Sequence, residues 1–209
     1  MTCGGKPLTS KTVRSDVFVS PDGKHRAYTE VEATVVHPPK SPGYTGPVCV
    51  NNSRLFVAGQ DGAFKLVFLQ EPTDAEGGNS LRVVDWSEDS RDVLVELEQW
   101  QYESPGITRA PMVYNTLVTV FQQPDMLHVL DKHFGVECAS DLHVLGFLSE
   151  GKIAVETKPL TPEAEEVLGV QSCSKKKSEW ILTAGSETLA PLPEAAKIQH
   201  YAKTEPPAK

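Results

Sequence analysis

The densest gathering of ligand-type side chains in this 209-residue chain is Asp125, His128, Asp131, His133, Glu137, Cys138, Asp141 and His143. Imidazole, thiolate and carboxylate are the donors that hold zinc and related metals. A metal-dependent hydrolase using His128, His133 and His143 is therefore the catalytic reading these residues allow. On a strand over Met126–His133, the five-residue gap puts His128 and His133 on opposite faces. Asp131 then shares a face with His133, and Asp141 with His143 on the next strand. A cross-strand site is geometrically allowed, but nothing in the spacing demands it. Solvated polar positions and turn residues explain the same run.

Carboxylates offer a second pattern. Glu30, Glu96 and Glu156 each end an apolar strand segment at a matching place, and could form a ring that binds a cation or a basic partner. The plainer alternative is three glutamates facing water from half-exposed strands. Residues 71–103 carry ten acids against two bases, Arg82 and Arg91, a sum of −8 that equals the net charge of the whole chain. This stretch could dock a basic partner, since complementary potentials steer encounter, with Glu96, Glu98, Trp100 and Tyr102 as the expected contacts. It could equally be charge that keeps sheet edges from pairing with other molecules. The same balance argues against binding nucleic acid or an anionic membrane surface.

The motifs of several enzyme classes are absent. There is no G-x-S-x-G nucleophile elbow, no glycine-rich phosphate loop and no H-E-x-x-H pair. The sequence therefore nominates no catalytic residue and no cofactor. No apolar run approaches the ~20 residues needed to span a bilayer. Cys49, Cys138 and Cys173 form no C-x-x-C; one disulfide among them in an oxidising compartment and three buried thiols are both open. Cys3, followed by two glycines, is a candidate lipid anchor after a short tether.

The elements that must position these residues are short. Sixteen prolines and fifteen glycines imply many turns, and apolar residues alternate with polar ones between them. Strands are predicted at Thr12–Val19, His25–Val36, Ser53–Gly59, Phe64–Gln70, Leu81–Ser87, Asp92–Gln101, Met112–Phe121, Met126–His133, Leu142–Leu148, Lys152–Thr157, Glu179–Ala184 and Thr188–Leu192. A short helix is predicted at Pro162–Leu168. Residues 1–11 and the polar, proline-rich tail 199–209 are expected to be flexible, leaving one domain over 12–198.

Three segments of that domain align. Val17-Phe18-Val19-Ser20-Pro21-Asp22-Gly23-Lys24, Val84-Asp85-Trp86-Ser87-Glu88-Asp89-Ser90-Arg91 and Gly146-Phe147-Leu148-Ser149-Glu150-Gly151-Lys152 each run from an apolar strand through a serine and a tight polar turn into a second strand. This implies three repeats, about 12–73, 80–135 and 142–193, of roughly four strands each. The segments resemble the W-S-P-D-G-(K/R) signature of TolB-type β-propeller repeats. The likeness is clearest in the first repeat and weakest in the shortened third. It implies an all-β antiparallel fold of propeller-like repeats, a non-catalytic protein-interaction or ligand-binding scaffold, and a periplasmic or cell-envelope location. Three repeats fall short of the four to eight blades of a closed propeller. An open arc, a half-ring that pairs with a second copy, a subunit of a larger propeller assembly, or a β-sandwich are the architectures left.

Overall fold

A computed structural model describes residues 9–36, 47–72, 77–100, 107–148, 151–183, 185 and 188–207. The chain is mostly antiparallel β, in three sheets. The first holds β1 (Lys11–Arg14), β2 (Val17–Val19), β3 (Arg26–Val36), β4 (Val48–Ala58) and β5 (Phe64–Gln70), with β1 and β2 lying in succession along β3. The second holds β6 (Gly78–Trp86), β7 (Asp92–Trp100), β8 (Ile107–Asn115) and β9 (Val120–Gln122) in chain order. The third holds β10 (Asp141–Phe147), β11 (Lys152–Lys158), β12 (Ser178–Thr183) and β13 (Thr188–Pro191), also in chain order.

The three aligned segments fall in three successive sheets, and the turns of the first two are built alike. Ser20 Oγ donates to Asp22 (2.7 Å) and accepts from the His25 N–H (3.0 Å); Ser87 Oγ donates to Asp89 (2.7 Å) and accepts from the Asp92 N–H (2.9 Å). Each serine and aspartate closes its own hairpin by bonding back to the turn. Gly23 and Gly151 take the left-handed backbone the turn requires, φ 72° and 71°. Ser90 stands in the same conformation at φ 64°, and its Oγ accepts from the Asp22 N–H (3.1 Å), tying the first turn to the second.

The sheets stack face to face, with the second in the middle. Along β7 the side chains alternate between two cores. Val93, Val95 and Leu97 join Trp86, Met112 and Tyr114 against Ala27, Leu55 and Val57 of the first sheet. Leu94, with Val84 and Val113, packs against Leu142, Val144, Ile153 and Val155 of the third. Both faces of the middle sheet are therefore apolar, and each fully buried Val or Leu contributes about 1.5–3 kcal/mol. Trp86 is completely buried, and its Nε1–H donates to the Phe18 carbonyl across the first interface (3.0 Å). The arrangement is not a closed barrel.

Four expectations need correction. Met126–His133 is not a strand but the core of α1 (Met126–Phe134). Asp125 caps it by accepting from the His128 N–H (3.1 Å), Gly135 ends it at φ 71°, and Met126, Val129 and Leu130 bury one face at helical spacing. The run Met112–Phe121 is interrupted, because the Asn115 side chain accepts from the Leu117 and Val118 N–H groups and turns the chain between β8 and β9. The run Thr12–Val19 is likewise broken at Ser15 and Asp16. The predicted helix forms as α2 (Pro162–Leu168), capped by Thr161.

The fourth correction concerns the tail, which was expected to be flexible. Gln199 bridges to Phe147 at the inner edge of the third sheet. The Tyr201 and Ala202 N–H groups donate to Asp85 of the second sheet (3.1 and 2.8 Å). Then β14 (Lys203–Glu205) pairs with β2 of the first, Thr204 opposite Phe18. Phe18, Asp85 and Phe147 occupy equivalent places in the three repeats, so the tail crosses the same point of each first strand. Gly146 permits the approach, since a Cβ there would meet Ile198 at 2.8 Å.

Asp85 is fully buried and also accepts from its neighbour's Trp86 N–H (2.8 Å). Deleting residues 199–209 strips a buried carboxylate of its tail donors, and should lower the unfolding free energy by about 3 kcal/mol or more. Urea denaturation measures this. Hydrogen exchange on the intact protein should show protected amides at Tyr201 and Ala202, and rapid exchange there would contradict the lacing.

Candidate functional site

The recurring glutamates occupy equivalent positions, the fifth residues of β3, β7 and β11, yet each is neutralised within its own sheet. Glu30 pairs with Arg54 (3.2 Å) and Arg14 (3.7 Å). Glu96 is 6% exposed, and one oxygen receives Arg82 (3.1 Å). Its other oxygen accepts the Val144 N–H of the third sheet (2.6 Å), while Arg82 donates to the Val144 carbonyl (3.1 Å). The ion pair thus clamps both backbone groups of one residue on β10 and sutures the second sheet to the third. Glu156, also 6% exposed, is held by Lys158 (2.8 Å) and by Lys177. These carboxylates neither face water nor form an open ring; their charge is spent on internal cohesion.

Part of the acidic stretch is committed in the same way, while Glu71, Glu88 and Asp89 stay exposed. Asp85 and Glu96 are buried, and Glu98 engages Arg109 (2.7 Å). Burial pushes the Asp92 carboxyl up, against a hydrogen bond from Asn115. Trp100 is half-buried and lies over Gly78, where a Cβ would come within 2.7 Å of its ring. It is not an exposed loop tip. Tyr102 and Cys3 lie outside the described residues.

The three histidines of the hydrolase reading are dispersed. His128 is exposed on the first turn of α1, His133 sits edge-on to Trp180 at its last turn, and His143 on β10 approaches Asp141 (3.3 Å). Among the described residues no three His, Cys, Asp or Glu side chains are grouped to hold a metal ion. Asp131 and His133 both lie on α1, where residues two apart do not share a face. Asp131 instead accepts from the Cys138 N–H (3.1 Å) at the helix end.

What the structure does assemble is a groove of about 410 Å³ between the start of β8, the start of β10 and the two helices. Ile107 and Ala110 of β8, Met126, Leu127 and Leu130 of α1, and Leu168 of α2 supply its apolar walls. At one wall Arg109 bridges Glu98 of β7 and Asp141 of β10. A disulfide, Cys138–Cys173, joins the segment after α1 to the segment after α2. Beside it Ala139 and Ser172 form a parallel bridge, with the Ala139 N–H donating to Gln171 and the Cys173 N–H to Ala139. The cross-link fixes the two helices as banks of the groove.

Sequence reasoning missed this site because its lining comes from at least five separated segments, spread between Gln99 and Leu168. The legible signals were Cys138 and Cys173, which bracket the helix predicted at Pro162–Leu168. The chain matches no protein-family model and no curated protein.

Burial pushes the Glu156 carboxyl up, but hydrogen bonds from Lys158 and Lys177 more than reverse this and hold it below its ordinary 4.5. A carboxyl lowered on folding contributes stability that is complete above the ordinary value and lost as pH falls through the folded one. Lys177→Met should therefore flatten the fall in stability below about pH 4.5 relative to the parent. Denaturation midpoints measured across that range check it, and parallel curves would remove Glu156 as a contributor.

Proposed function

We propose that this chain is a non-catalytic interaction scaffold related in design to TolB-type repeat proteins, working in an oxidising extracytoplasmic compartment such as the periplasm or cell envelope. The groove framed by the disulfide carries the reading. It is an apolar concavity with a few polar groups, within the ~300–1,000 Å³ range usual for binding sites. Its walls are prefixed by a cross-link, and no nucleophile–base pair points into it among the described residues. The disulfide supports the compartment, since such bonds persist where the medium is oxidising. The shared serine–aspartate turns and the stacking of three sheets support the repeat kinship.

In this reading the partner surface is not the acidic stretch of the second repeat, whose Glu96 is buried and committed to Arg82. Of that stretch only Glu98 comes to the groove, through its pair with the lining residue Arg109. No metal or cofactor is invoked. The tail already occupies the edge of β2, so the scaffold function does not draw on pairing at that edge.

A photoreactive benzophenone side chain placed at Leu127, on the groove rim, should give a discrete protein adduct when the protein is produced in its native host. The same group at Leu117, exposed on the β8–β9 turn, should not. Equal labelling at the two positions, or none at Leu127, overturns the assignment.

A further inference from the structure

Two properties of the groove specify what it binds. The apolar surface does not stop at its mouth. Leu127 is 58% exposed, Leu168 38% and Ile107 37%, so aliphatic side chains continue from the walls over the rim. A small ligand seals 70–90% of its own surface inside a pocket and would leave this rim wet, whereas an extended polypeptide covers both floor and rim.

Charge supplies the second property. Arg109 is the cation of the lining, and its side chain is only 14% exposed and held from two sides by Glu98 and Asp141. It is not available to an incoming anion. Asp125 also lines the groove, and with Glu98 and Asp141 beside Arg109 the charged groups at the lining are three acids against one base. The apolar floor is thus bordered by a surplus of negative charge. An acidic or phosphorylated segment meets repulsion there, while a lysine or arginine flanking an aliphatic anchor meets attraction.

We infer that the groove takes a partner polypeptide segment in which leucine-like side chains are flanked by lysine or arginine. The inference rests on the scaffold reading and narrows it to one partner chemistry. The aliphatic anchors fill the space between Ile107, Ala110 and Leu130, and the flanking cations lie toward Asp125 and the Glu98 and Asp141 carboxylates beside Arg109. The disulfide contributes by holding both helices in place before binding, which lowers the ordering cost of association.

The test is an amide-resolved NMR titration of the full chain with three synthetic peptides: acetyl-Lys-Leu-Leu-Lys-Leu-Lys-amide, its counterpart with every lysine replaced by glutamate, and its counterpart with every leucine replaced by serine. The basic leucine peptide should give saturable shifts centred on Ile107, Ala110, Leu127 and Leu168. The other two should bind at least about tenfold more weakly. Raising salt from ~0.05 to ~0.5 M should weaken the basic peptide severalfold, because exposed charges are screened. Leu127→Asp and Leu168→Asp alter exposed side chains and should each cost about tenfold in affinity, while Leu117→Asp changes nothing.

Equal or tighter binding of the acidic peptide, shifts centred elsewhere, or no saturable binding of any peptide overturns the inference. If the Leu127 adduct still forms in the native host, the scaffold reading stands and only the partner chemistry fails. If that adduct is absent too, both fail.

Discussion

The fully buried carboxylate of Asp85 is the point on which the architecture depends. A carboxylate in a protein interior is tolerated only when its lone pairs are satisfied. Here the donors are backbone N–H groups, one from Trp86 beside it and two from Tyr201 and Ala202, more than a hundred residues further along the chain, with the His200 imidazole 3.5 Å away. The acid is buried with the tail's help, and the tail in turn packs Tyr201 and Ala202 against the two cores on either side of the middle sheet. Satisfying Asp85 therefore fixes the path from Gln199 at the third sheet to β14 at the first. It binds three sheets that otherwise touch only in sequence.

The same economy governs the other buried charges. Glu96 and Arg82 form a pair whose remaining donor and acceptor close on the backbone of Val144. Arg109 joins β7, β8 and β10 through Glu98 and Asp141. In both cases polar groups at a sheet interface are saturated and add direction to contacts that apolar packing leaves non-directional. The disulfide does comparable work at the periphery, where it ties α2, which buries only Ala164, to α1, which is anchored in the core by Met126, Val129 and Leu130. Only the second helix bank of the groove is a legible sequence feature, yet both banks are rigid because Cys138 and Cys173 meet.

Much of the frame was readable from residue order. The strands Phe64–Gln70 and Asp92 onward, the helix Pro162–Leu168 and the serine–aspartate turns follow from alternation, capping and turn chemistry, which are local. The failures share one cause. Met126–His133 has β-compatible composition, and its helical phase became evident only through Asp125 and Gly135 as caps and the burial of Met126, Val129 and Leu130. The tail is polar and rich in proline, so nothing local distinguished a paired segment from a frayed one. An aspartate inside the apolar run Val83-Val84-Asp85-Trp86 was the one available sign that a distant donor was needed.

The sequence by itself determined the repeat unit, the antiparallel strands and the excess of acids over bases, because each depends on neighbours a few residues apart. Tertiary structure decided what that acidity is for. Glu30, Glu96 and Glu156 recur in sequence as if forming a surface, but each lies beside cations, brought by adjacent strands for Glu30 and Glu96 and by β11 itself and the segment before β12 for Glu156, and these pairs convert repeated charge into internal ties. It also decided where a partner can sit, since the groove exists only after β8, α1, α2 and a disulfide converge. Charge count is a sum over residues, whereas availability of charge is a property of pairs. Pairs are settled by folding.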